Sequence, residues 1–342
     1  MRCISLKCYI DTMVAYVEVT TTPVLNNNHA QWKFSKRKNK VDNHFFVRYR
    51  KVTCRYYPNR YGAGQIWLTF SIPKLLRGNN LYPVTGHNID NALYTLVKDI
   101  LSEIFDITTL PPYDLSVWQV SRLDLFILHR IQPKLRKWYL EAYENLSLGA
   151  YVPCKYKNTF YLNSVLKKHK GAGTVVRIYP KLQEIQETSL EQIPVDVNKD
   201  FEYYMMLNDE LHDYIRLEFQ FRRQTLRYFF HNAKSVTVAD VMQEQFQIER
   251  INRMIVRLRL HRKIISRQNM KAQLDKIFIK KPTRQRAGQY ITLVNTRGVY
   301  PQTIKQHFAE GQIKYIRDKI HECGLHTVVS EFEDLEPVQL LK

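Results

Sequence analysis

The sequence predicts an α+β protein: a mostly antiparallel sheet interleaved with helices, followed by a basic helical region that resembles a helix-turn-helix. Three observations carry this. The stretches "IWLTFSI" (66–72), "SVWQVSRLDLFIL" (116–128), "TVVRIY" (174–179) and "YIRLEFQFRR" (214–223) are rich in β-branched and aromatic residues and partly alternate in polarity. Helical patterns lie between them, and two strand candidates follow each other closely near the N-terminus, which favours α+β over a parallel doubly wound sheet. After about residue 232 the texture turns helical and basic.

Taken in order, "MRCISLKCYIDTMVAYVEV" reads as a first strand, since it has neither a long apolar core nor a small-residue cleavage site. The stretch "KFSKRKNK" (33–40) reads as a basic loop suited to phosphates. Gly62 and Gly64 stand just before the 66–72 strand, and Gly171 and Gly173 just before the 174–179 strand, as turn glycines. Neither pair belongs to a G-x-G-x-x-G or opens a helix, so a dinucleotide loop is a poor reading. "SIPKLLRGNN" (71–80) reads as a turn that presents Lys74 and Arg77, or as a structural corner. Helices are expected over 88–105, capped by Asn88, and over 199–214. Beyond the sheet, 235–265 reads as helix and 301–324 as two short helices around Gly311. The division drawn from this change of texture is 1–232 for a catalytic domain and 233–342 for a basic helical, DNA-binding one.

The net charge of +20, from 52 basic and 32 acidic residues, favours a polyanionic partner, nucleic acid above all. Residues 245–290 hold 13 Lys and Arg against 2 Asp and Glu, so over half the excess sits there. A short helix, a turn and a second basic helix suit DNA docking; a small bundle with a solvated basic face is the other reading. The cysteines (3, 8, 54, 154 and 323) are odd in number and lack a C-x-x-C, which argues against a disulfide framework or zinc ribbon and for a reducing cytoplasm. No window has the apolar length of a membrane span.

Alternation then sorts the strand residues by face. In "IRLEFQFRR", Ile215, Leu217, Phe219 and Phe221 share an apolar face, while Arg216, Glu218, Gln220 and Arg222 share the other. A carboxylate and an amide two residues apart would reach one Mg²⁺ or Mn²⁺; an ordinary sheet with one face in water has the same pattern. In "VSRLDLFIL", Arg122 and Asp124 share a face with Val120 and Phe126. An aspartate in mid-strand goes against propensity and calls for a partner: Arg122, a hydrogen bond or a metal. In "TVVRIYPK", Val175, Arg177 and Tyr179 share a face, and Pro180 ends the ladder, leaving Tyr179 at an accessible place. Arg177, Lys181 and a divalent cation would favour the phenolate. Tyr203 and Tyr204 compete as nucleophiles, but their helical setting beside Met205 and Met206 suggests packing. A tyrosine, a cation on carboxylates and a basic chain together suggest attack of a phenolate on a DNA phosphodiester.

In order along the chain, "WLTFSIPKLLRGNNLYPVT" (67–85), "VSRLDLFI" (120–127), "TVVRIYPKLQEI" (174–185), "YIRLEFQFRRQTLRYFF" (214–230) and "FAEGQIKYIRDKIHECGL" (308–325) resemble segments of the filamentous-phage gene II type of rolling-circle replication endonuclease. The third and fourth also resemble the tyrosine and arginine-glutamate segments of plasmid initiators. The resemblance implies an antiparallel-sheet nickase domain of the HUH-like kind. It would cut one strand of single-stranded or supercoiled origin DNA, stay on the 5′ phosphate and leave a 3′ hydroxyl for host helicase and polymerase. It assigns the nucleophile to Tyr179 with Lys181 as its partner, and the acids to Asp124 and Glu218. Gln220, from its spacing, and Glu184 join the Mg²⁺ or Mn²⁺ shell. Arg122, Arg177 and Arg216 beside the acids, with Lys155, Lys157, Lys167 and Lys168 among aromatics at 156–170, would meet DNA. The chain departs from the His-hydrophobic-His strand that names the superfamily: it has 11 histidines and no H-x-H. Two other readings stay open, a metal nuclease that uses water and a non-enzymatic origin-binding regulator.

Overall fold

These polarity patterns resolve into one sheet of ten strands in the computed structural model, which describes residues 7–29, 31–36, 43–58, 64–78, 84–85, 90–106, 114–146, 151–156, 159–164, 173–180, 213–296 and 301–342. The strands are β1 (Tyr9–Val19), β2 (Lys33–Ser35), β3 (His44–Tyr49), β4 (Val52–Pro58), β5 (Gly64–Ser71), β6 (Gln119–Arg130), β7 (Tyr151–Tyr156), β8 (Thr159–Ser164), β9 (Thr174–Pro180) and β10 (Tyr214–Arg222). Their order in the sheet is β2-β3-β4-β5-β1-β6-β10-β9-β8-β7, and every pairing is antiparallel. The expected α+β class with an antiparallel sheet is therefore observed.

Alternation is cleanest in β5, where Gly64, Ile66, Leu68 and Phe70 are buried and the residues between them are half-buried. Gly64 is required for space: a Cβ there would lie 2.5 Å from the Tyr57 carbonyl oxygen. The next residues form a short helix, α1 (Ile72–Arg77), where the sequence suggested a turn. Pro73 fits its first turn, and Gly78, at φ 81°, closes it by donating its N–H to the Lys74 carbonyl. The expected basic loop at 33–40 begins instead as β2. Helix α2 (Asp90–Ile104) buries Leu93, Val97, Ile100, Leu101 and Ile104, the three-four spacing of an amphipathic helix. Residues 115–117 form a 3₁₀ turn capped by Asp114, so β6 starts at Gln119, later than its sequence pattern. The predicted helix at 199–214 lies almost wholly outside the described residues, and at its end Tyr214 opens β10.

The helix expected over 235–265 is two, α5 (Val238–Met242) and α6 (Glu244–Leu258), after α3 (Arg136–Tyr143) and α4 (Arg223–Phe229). Thr237 and Asp240 form a capping box at the start of α5. Gln243 then leaves helical geometry, and Arg259, at φ 60°, ends α6. Helices α7 (Arg267–Ile277), α8 (Lys281–Val294), α9 (Pro301–His307) and α10 (Glu310–Glu322) follow. The break expected at Gly311 falls at Phe308 and Ala309 instead, because Gln312 caps the Ala309 N–H and draws Gly311 into α10. Among the described residues no helix is long and apolar enough to cross a membrane.

Apolar packing forms two clusters. The larger runs from the sheet through α2, α3, α5 and α6 to Ile264, passing the 232/233 division without a break, and collects Val328, Leu335, Val338 and Leu341 near the C-terminus. The smaller holds Met270, Leu274, Ala287, Tyr290, Phe308, Ile316 and Ile320 from α7, α8, α10 and the α9–α10 link. Helices α7 and α8 are joined by Phe278–Lys280, a connection of helix-turn-helix length.

Candidate functional site

The three strands that carry the candidate residues lie side by side, β6-β10-β9. Their register sets Gln220 opposite Asp124 on one side and Val175 on the other, Glu218 opposite Arg177, and Arg216 opposite Tyr179. Directly opposed residues in a sheet point to the same face, so one face gathers Arg122, Asp124, Arg177, Tyr179, Arg216, Glu218 and Gln220. The other face is hydrocarbon: Leu123, Leu125, Ile127, Leu217, Phe219, Phe221, Val176 and Ile178, all buried. Helices cover that second face, with Phe221 meeting Phe229 of α4 at 5.3 Å between ring centroids.

The centre of the charged face is as dry as the apolar one, while Arg122 and Arg177 beside it stay half-buried. Asp124, Arg216, Glu218 and Gln220 are exposed by only 0, 1, 2 and 4%. An ordinary solvated sheet face is thereby overturned for β10. Tyr179 is 5% exposed, which also corrects the expectation of an accessible end-of-strand position. Its location at the end of a ladder holds: β8 pairs with β9 only as far as Ile178, while β10 continues to Pro180.

Burial of so many charges is tolerable only because they are paired. The Tyr179 hydroxyl donates to Glu218 Oε2 at 2.9 Å. Arg216 Nη2 donates to the same oxygen at 3.0 Å, and Arg177 Nη1 donates to Oε1. Arg122 grips Asp124 through two nitrogens, Nε reaching Oδ1 at 2.8 Å, and Arg177 lies 3.8 Å from Oδ2. The Arg216 guanidinium lies 3.7 Å from the Phe126 ring centroid and 5.7 Å from that of Tyr179. Burial pushes the Asp124 carboxyl up to about 6; its hydrogen bonds from Arg122 pull the other way and nearby Glu218 raises it again. Burial works against the Arg177 charge, but Glu218 and Asp124 overcome that and hold it above its ordinary value.

One member of the cluster was not anticipated. Asp11 accepts from Arg216 Nη2 and from Ser71 Oγ at 3.1 Å. It sits where the β1–β6 register slips between Ile10 and Met13, a bulge that keeps both of those side chains in the core and turns Asp11 to the charged face. An aspartate inside the strand pattern "YIDTMVAYV" was the available signal, the same one that marked Asp124.

The Asp11, Asp124, Glu218 and Gln220 oxygens have the hard-donor chemistry of an Mg²⁺ or Mn²⁺ shell. Their arrangement does not fit such an ion. Both oxygens of Asp124 and of Glu218 face guanidinium nitrogens, and three arginines balance three acids. Among the described residues no three His, Cys, Asp or Glu side chains come together as a cage. No step is therefore routed through a metal. Glu184 and Lys181, with Lys157, Lys167 and Lys168, lie outside the described residues. The remaining candidates stand apart from the cluster: Lys74 and Arg77 on α1, and Lys155 on edge strand β7, paired with Glu144.

Comparison with known proteins adds little to this geometry. No family model and no curated protein matches the chain. A solved structure, the rolling circle replication initiator protein from Geobacillus stearothermophilus, aligns with a TM-score of 0.36 at 12% identity, over 74% of this chain and 85% of that one. A likeness of that strength decides neither fold nor function.

Proposed function

We propose that this chain starts rolling-circle DNA replication as a nickase-ligase with Tyr179 as nucleophile. The observation that carries the reading is the hydrogen bond from the Tyr179 hydroxyl to Glu218, inside a cluster of paired arginines. The ordered motif resemblance to the filamentous-phage gene II type supports it, as does the +20 charge. In the proposed step the phenol oxygen bonds to a DNA phosphorus as the phenolic proton passes to Glu218, and the bond to the 3′ oxygen breaks. That oxygen takes a proton from water and leaves as the 3′ hydroxyl, and Glu218 returns its proton to the solvent. Arg177, the more exposed of the two arginines on Glu218, would balance charge on the phosphoryl oxygens. The phosphotyrosine keeps the energy of the cleaved ester, so the reverse attack rejoins the strand. Basic helices α7 and α8, in the 233–342 region, would hold duplex origin DNA in the manner of a helix-turn-helix. Host helicase and polymerase would follow at the free 3′ end.

The burial of Tyr179 favours a second reading, an origin-binding regulator in which the tyrosine only completes a buried network. Covalent capture separates the two. The protein is mixed with labelled single-stranded oligonucleotides tiling its replicon, with Mn²⁺ or with EDTA, and run on a denaturing gel beside Tyr179→Phe. The nickase gives an adduct that the variant lacks. Cleavage without an adduct points to a nuclease that uses water, and binding without cleavage points to the regulator. The EDTA lane shows whether a divalent cation is needed, and hence whether the arginine-paired acids must reopen before chemistry.

A further inference from the structure

A groove of about 250 Å³ opens at the start of β9, away from the Tyr179 cluster, and its lining includes Thr174, Gln224, Thr225, Tyr228, Arg253 and Arg257. Two helices build it. Helix α4 presents Tyr228, 59% exposed although its neighbour Phe229 packs inward against Phe221. Helix α6 contributes arginines at three- and four-residue spacing, which share one side of a helix. Arg250 turns inward, its guanidinium 4.7 Å from the Phe229 ring centroid and 5.4 Å from that of Phe246. Arg253 and Arg257 are exposed, and Arg253 lies 5.9 Å from the Tyr228 ring centroid.

The donor set is selective. Guanidinium groups, hydroxyls and an amide line the groove together with an exposed aromatic ring, and among the described residues no carboxylate does. Guanidinium and hydroxyl groups suit a phosphate, and an exposed ring beside them suits an unstacked base. Duplex DNA hides its base faces, so the ring favours a single strand.

We propose that this groove is a single-stranded DNA site in which Arg253 and Arg257 take a phosphate and Tyr228 stacks on a base. The inference rests on the nickase reading and deepens it by assigning a contact to the strand flanking the nick. Thr174 precedes Tyr179 by five residues of one strand, about 16 Å at the usual rise. Their side chains point to opposite faces, so the bound strand would pass over the end of β9. That length alone spans roughly five nucleotides at a stacked rise of about 3.4 Å, so the path around the strand end needs at least as many.

The test is fluorescence anisotropy of the full chain with one labelled mixed-sequence oligonucleotide, single-stranded and as a duplex, across a salt series. Tyr228→Ala should weaken single-strand binding about tenfold, with Tyr228→Phe restoring it. Arg253→Gln with Arg257→Gln should reduce the single-strand salt slope by about 0.7, the share of the one phosphate they take. The pair Lys134→Gln with Lys137→Gln, exposed beside and on α3 and given no role in binding, removes the same charge elsewhere. Equal losses in that control, equal losses on the duplex, or no loss in the groove variants would each overturn the site. Anisotropy reads binding without cleavage, so failure of the nickase reading in the adduct gel stays separate from failure of the groove.

Discussion

The two faces of β6, β10 and β9 share the same backbone, and both are dry at their centres, yet different physics holds them. On one face Leu123, Leu125, Leu217 and Phe219 are fully buried hydrocarbon, and each contributes through area removed from water and close packing. On the other, Asp124, Arg177, Arg216 and Glu218 contribute only as a closed set, since each ion is costly to bury alone. The apolar face tolerates repacking. The ionic face tolerates the loss of no partner.

Glu218 and Leu217 make the sharpest break, being neighbours on one strand that face opposite ways. Glu218→Ala removes the carboxylate shared by Arg177 and Arg216, with Asp124 and Asp11 still beside them, and should destabilise the fold by about 3–5 kcal/mol. Restoring the volume with Glu218→Met should leave that loss in place. Leu217→Ala should cost about 2–5 kcal/mol, but Leu217→Met less than about 1.5 kcal/mol. Urea denaturation of the four variants decides; a mild Glu218→Met would mean that the ionic face packs like the other.

Asp124 gives the comparison a pH axis. Its carboxyl is pushed up to about 6 from an ordinary 3.8, chiefly by burial. The stability it contributes is therefore fully present below pH 3.8 and lost as pH rises through about 6. Asp124→Asn should remove that part of the pH dependence, read as the difference between wild-type and variant melting curves. A constant difference across the window would show that the Arg122 pair outweighs burial.

Tyr179→Phe should cost less stability than Glu218→Ala, about 1–3 kcal/mol for one buried hydrogen bond to an ionised acceptor. Glu218 keeps both arginines in that variant. The same substitution is expected to abolish adduct formation. A large fall in melting temperature with binding lost would tie Tyr179 to the fold and remove it as a nucleophile candidate.

Much of this was legible along the chain. Period-two alternation in "VSRLDLFIL", "TVVRIY" and "YIRLEFQFRR" sorted the residues of both faces correctly, because side-chain direction in a strand is a local property. Asp124 was marked by its poor fit to a strand. Asp11 was overlooked because a bulge, which sets its direction, is a property of the pairing between β1 and β6. The helix break at Phe308 and Ala309 escaped notice because a cap from Gln312 outweighed the low helix propensity of Gly311.

The sequence by itself determined the three strands that carry the site, their two faces and the concentration of positive charge after residue 232, since composition and near-neighbour spacing carry those. Only the tertiary structure decided that β10 lies between β6 and β9, that Glu218 meets Tyr179, and that the charged face is buried and closed by arginines. Strand order and register depend on contacts between residues far apart in the chain. The burial of a charge depends on whether every partner arrives, and no local pattern records that.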